Sequence, residues 1–196
     1  ESRTKAIIAT IHANIAQFLS SIIFGTVGLM LVGLENDLVD DTAIRISAYL
    51  VIIVGAFLYF FPKILDVNPL SRLYSAQLKE GLEYIQEESF GLKMVILILS
   101  LLRYTVFLTQ FYLFLLFFEA SGEASTLIPA ISIVYLIATV IPSFLFGKLF
   151  VREASALFVL EAVGVQTEVI VATVFFLWVL NLAIPSIAGA VILMKK

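Results

Sequence analysis

The chain contains no cysteine and one histidine, His12. The absence of cysteine excludes disulfides, thiolate nucleophiles and sulfur-ligated metals. A lone histidine with no HExxH partner offers no zinc ligand set, and a Ser-His-Asp triad would lack its GxSxG elbow. No Walker or GxGxxG loop supports nucleotide binding. Charged residues make up 14% of the chain, against about 25% in soluble domains, and no basic patch is present for nucleic acid. The expectation is therefore a protein that is not an enzyme, with no cofactor and no metal. No strand-like alternation of apolar and polar residues runs along the chain, which excludes an outer-membrane barrel.

Apolar residues are what the chain has in quantity: 61% hydrophobic, with a mean hydropathy of +1.08. Several runs exceed the ~18 apolar residues that mark a membrane span. The fold class expected is all-α, a polytopic transmembrane helical bundle forming a single domain over 1–196, with spans at about 15–34, 46–61, 92–118 and 169–194. Glu1 to Gln17 is a polar helical lead-in to the first span. Ser21 and Gly25, four apart, offer a small-residue patch to a neighbouring helix. Tyr59, Phe60 and Phe61 stand where interfacial aromatic anchors are expected. Asn68-Pro69 has the form of a helix start, and the apolar spacing from Leu70 to Ile85 predicts an amphipathic surface helix over 69–87.

The stretch Ile141 to Glu168 departs from this pattern. It is apolar enough for a bilayer, yet it carries Pro142, Gly147, Lys148, Arg152, Glu153 and Glu161. Proline breaks a helical ladder, glycine tolerates a turn, and ionic groups at membrane depth face protein or a wet cavity. Two half-length helices meeting at a polar break are expected over 126–165. A re-entrant hairpin is favoured, because it puts the basic groups Arg3/Lys5, Lys63–Lys93 and Lys195-Lys196 on the cytoplasmic side, with both ends of the chain there. The rival is a full crossing at Thr126–Phe146. Pro185, with Asn181, interrupts the last helix in its turn, and paired discontinuous helices point to a transport site.

Lys148 and Arg152 share a helix face, and Glu153 and Glu161 can border one groove. Two readings stand open: an interhelical clasp of four neutralising charges, or a site whose cations hold an anionic head group while the carboxylates receive a cationic one or gate release. Arg103 sits about eleven residues into its apolar run, well away from either end. It either snorkels to the interface or faces a polar cavity, where its planar fork of donors suits a lipid phosphate.

IPSFLFGKLFVREASALFVLEAVGV, followed by a helix reaching IPSIAGAVIL, resembles the C-terminal part of the lysylphosphatidylglycerol synthase transmembrane, or flippase-like, family. The likeness rests on Pro142, Gly147, Arg152-Glu153, Gly164-Val165 and Pro185/Gly189, and on the LLRYTVFLTQFYLFLLFF segment. It implies handling of lipid-linked molecules in the cytoplasmic (inner) membrane, with membrane lipids as partners. It also implies that N-terminal helices of the family domain precede Glu1. The aminoacylating domain of some members has no counterpart here. The expected function is a lipid flippase or translocase that passes an anionic or lipid-linked head group through a polar intramembrane groove. The alternative is a non-transporting membrane subunit, or homo-oligomer, whose charged broken helix docks a partner.

Overall fold

The computed structural model describes residues 2–33, 41–61, 88–141 and 146–194. All of the elements among them are helical: α1 (Ser2–Gly33), α2 (Asp41–Phe60), α3 (Phe90–Phe117), α4 (Ala124–Val140), α5 (Phe146–Ala162) and α6 (Thr167–Trp178). A π turn, Val179–Ala183, carries α6 into α7 (Ile184–Met194). Among the described residues, three stretches are long and apolar enough to cross a membrane, Ala9–Val32, Phe90–Phe117 and Thr167–Met194. The chain is a helical membrane protein. The second expected span falls in α2, whose apolar part, Tyr49–Phe60, is shorter. The expected amphipathic helix over 69–87 and Pro142 lie outside the described residues.

The centre of the bundle is α4, which is apolar on every side. Leu127, Ala130, Ile131 and Val134 are fully buried along it. A helix with no polar face must be surrounded, and α4 is flanked by α1, α3 and α5. Its tightest neighbour is α1, which runs antiparallel to it. The Thr139 hydroxyl donates to Ser21 Oγ at 3.2 Å. A Cβ added at Gly25 would strike Leu136, and one at Gly28 would lie 2.7 Å from the Pro129 carbonyl. The expected small-residue patch is thus the seam through which two backbones approach. On α3, Tyr104 Oη donates to the Ser132 carbonyl at 3.4 Å, and Tyr135 Oη donates to that of Phe107 at 3.3 Å.

Both turns at one end of the bundle are closed by local chemistry. After α3 the chain caps itself with Ala120 N–H to Leu115 O and Glu119 N–H to Leu116 O, with Glu119 at φ 60°. After α5 the same motif recurs: Val165 N–H bonds Leu160 O, Gly164 N–H bonds Glu161 O, and Gly164 takes φ 87°. This is a left-handed helix cap, and it gives the Gly164-Val165 pair its physical meaning. Ser121 Oγ donates to Gly164 O at 3.2 Å and joins the two turns. Hence α4 and α5 form a hairpin that starts and finishes at one end.

The far end of the hairpin can be placed against its neighbours. Thr139 is level with Ser21, and Phe24 stacks on Tyr104 at 4.4 Å. Further along α1, His12 meets Tyr59 of α2, which in turn bonds the Lys93 carbonyl. From Ser21 to His12 is about 14 Å of helix. α1, α2 and α3 therefore run on by about that length beyond the end of α4, and there they expose Phe57, Phe61, Phe90, Leu92 and Val95. Gly147 is the second residue of α5.

Replacing Gly28 by Leu should force α1 and α4 apart. The expected cost is about 1–3 kcal/mol, read as a lower melting temperature of the purified protein, whereas Gly189→Leu, where a side chain meets open space, leaves it unchanged.

Candidate functional site

The inner face of α5 is set by Ser155, Ala156, Val159 and Leu160, all buried. Arg152 lies one turn before them, on the same face. Its side chain is half-buried, and its guanidinium carbon stands 5.4 Å from the centroid of the Tyr135 ring. That ring is held edge-on by Tyr104 at 5.6 Å and Phe111 at 5.9 Å. Since the Tyr135 hydroxyl is committed to the Phe107 carbonyl, its π face is what it offers the cation. Among the described residues no carboxylate lies within ion-pair distance of Arg152, and no acceptor takes its N–H donors. A partly desolvated guanidinium with open donors is an anion receptor by its chemistry.

The other expected site residues are distributed differently. Glu153 is half-buried beside Arg152. Lys148 lies in the first turn of α5, one turn before Arg152, so the two do share a face; its side chain is outside the described set. Glu161 is exposed at the opposite end of α5 and accepts the Thr167 hydroxyl at 2.7 Å. It is about 14 Å along the helix from Arg152. Arg103 is exposed on α3, with its guanidinium 5.4 Å from the Phe107 ring centroid, and no contact joins it to Arg152. The structure thus places Arg152 against a cluster of tyrosines, with Glu153 next to it in the chain, and leaves Arg103 and Glu161 apart.

Pro185 acts at a distance of one turn. Having no N–H, it cannot bond the Asn181 carbonyl, and the helix widens into the π turn just before it, with Ile184 N–H bonding Val179 O. Asn181, within that turn, donates through Nδ2 to Gln110 Oε1 at 2.9 Å. Beside this bond runs a groove of about 920 Å³ between α3 and the π turn, walled by Phe107, Leu113, Phe117 and Leu180, with Thr105 and Gln110 as polar points.

Three features escaped sequence reasoning. Tyr59, expected as an interfacial anchor, is buried and bonded to His12. His12 is itself buried, paired with Glu88. Tyr104 and Tyr135 were indistinguishable from the aromatic residues around them, although hydroxyl-bearing rings in an apolar run are a usable signal, since a buried tyrosine hydroxyl needs a partner. Comparison with protein-family models, curated proteins and solved structures found no match.

Asn181→Leu removes the one bond described between α3 and the π turn. It should cost about 1 kcal/mol, the range of interhelical polar contacts in membranes, seen as a lower melting temperature that Gln110→Leu in the same chain does not lower further.

Proposed function

We propose that this chain is a membrane protein of the lipid-translocase type, in which Arg152 receives the anionic head group of a lipid while its tails stay in the apolar phase. The observation that carries this reading is the half-buried guanidinium of Arg152, uncommitted among the described residues and mounted on a helix inside an apolar bundle. Holding a cation there costs several kcal/mol in lipid, roughly 2.5–3.5 on insertion scales. A bound phosphate offsets that cost with charge-assisted hydrogen bonds. Glu153, beside it, receives a cationic group on the lipid or weakens anion binding for release. Lys148 extends the same face toward the hairpin tip.

The α4–α5 hairpin is, in this reading, re-entrant. Its support is that α1, α2 and α3 continue about 14 Å past the end of α4 with apolar side chains exposed. The interruption at Pro185 supplies the second discontinuous helix of a transport site. The likeness to the flippase-like family points the same way, and with it an inner-membrane location with both ends in the cytoplasm. Arg103 and Glu161 enter as contacts along the path, before and after Arg152.

The partner-docking alternative draws on a different observation: α7 is exposed along its length and, among the described elements, packs closely on its own π turn alone. A second membrane helix, from another protein or another copy, would cover it.

The test is flipping of a fluorescent phosphatidylglycerol in liposomes containing the purified chain. Arg152→Ala should slow it by about tenfold or more, the worth of one charge-assisted contact, and Arg152→Lys should restore part of the rate. Unchanged flipping in both Arg152→Ala and Glu153→Ala removes these residues from the mechanism.

A further inference from the structure

The polar group at the other end of the bundle takes no part in the reading above. His12 on α1 is 1% exposed. Its Nδ1 lies 2.6 Å from Glu88 Oε2, and its Nε2 lies 3.0 Å from Tyr59 Oη. Tyr59 Oη is also 3.0 Å from the Lys93 carbonyl. Neither His12 Nδ1 nor Glu88 Oε2 has another partner among the described residues. Carboxylate, imidazole and phenol thus form one line across α1, α2 and the residue preceding the cap of α3.

The hydrogen atoms of this line can be counted. A tyrosine has one O–H, and a neutral imidazole has one donor and one acceptor. In the first state, neutral His12 carries its proton on Nδ1 and donates to the Glu88 carboxylate, while Tyr59 donates to Nε2. In the second state, one proton from solvent is added at Nε2. Imidazolium then donates to Glu88 and to the Tyr59 oxygen, and the Tyr59 O–H turns to the Lys93 carbonyl. Every heavy atom keeps its place in both states.

We propose that Glu88, His12 and Tyr59 form a buried proton-binding site whose occupancy decides whether α2 is bonded to α3. Without the proton Tyr59 ties α2 to α1 alone. With it, the chain of bonds runs from Glu88 through His12 and Tyr59 to the first turn of α3. The charged and titratable groups facing His12 are Tyr59 from α2, Glu88 from the segment before α3, and Lys93 from α3. On α1 itself no other described side chain is charged.

Because the chain has one histidine, its imidazole nitrogens can be followed without ambiguity by ¹⁵N NMR of the full chain in phosphatidylcholine nanodiscs. The expected result is an Nδ1–H tautomer at high pH and a single protonation at Nε2 between about pH 4 and about pH 9. Glu88→Gln and Tyr59→Phe should each move the midpoint by about one pH unit or more, and Glu123→Gln, in the turn at the opposite end, should leave it in place. If His12 stays neutral across that range, or rests as the Nε2–H tautomer at high pH, the site is a fixed clasp and the proposal is overturned. The wild-type titration decides this even if either cluster variant fails to fold.

Discussion

Inside an apolar phase every polar group needs a partner within the protein, and this requirement organises the whole bundle. Hydroxyls on the helices meet it by bonding their own chain one turn back: Ser20 to Ala16, Thr105 to Leu101, Ser132 to Ile128, Thr139 to Tyr135 and Ser155 to Val151. Tyrosines meet it across helices, on carbonyls of the facing segment. Among the described residues, the Thr173 hydroxyl and Trp178 Nε1 are buried without such a partner. Against this background Arg152 stands out, because among the described residues its charge is met by an aromatic face and by no carboxylate. A cation–π contact contributes on the order of 1–2 kcal/mol, less than the cost of desolvating a guanidinium.

The helical class and the position of most elements follow from hydropathy alone, because a long apolar run admits few structures in a bilayer. Proline followed by ionic residues is what led to the expectation of a break near Pro142; α4 ends at Val140 and α5 begins at Phe146, and Pro142 itself lies outside the described residues. Ser21 and Gly25 were legible as a seam because small residues at helical spacing have little other use at membrane depth. The interruption at Pro185 was legible too, though its form was not. The ladder widens by one residue and continues, and Asn181 within it meets Gln110 across the groove.

What sequence could not supply was lateral position. Arg103 and Arg152 look alike on paper, each a cation within an apolar helix, yet one points outward over its own helix and the other inward over Tyr135. The difference lies in helix rotation, which is fixed by partners distant in the chain. Glu153 and Glu161 fail to share a level for a simpler reason. The straight helix between them separates them by about 12 Å, so bordering the same face is not the same as bordering the same site. Tyr59 shows the limit most clearly: residues 47 and 34 positions away, His12 and Lys93, determine that it is buried.

The joining of Ser121 to Gly164 has a consequence for how the chain is threaded. Since α4 and α5 leave and return at one end, together they contribute nothing to the alternation of sides, whatever depth their tip reaches. The sidedness of α6 is inherited directly from α3, and the two are antiparallel, with Phe118 beside Phe176 and Gln110 beside Asn181. The insertion machinery can therefore seat the outer helices in their final sense before the hairpin settles among them. A change that deepens or shallows the hairpin alters its burial without inverting anything downstream.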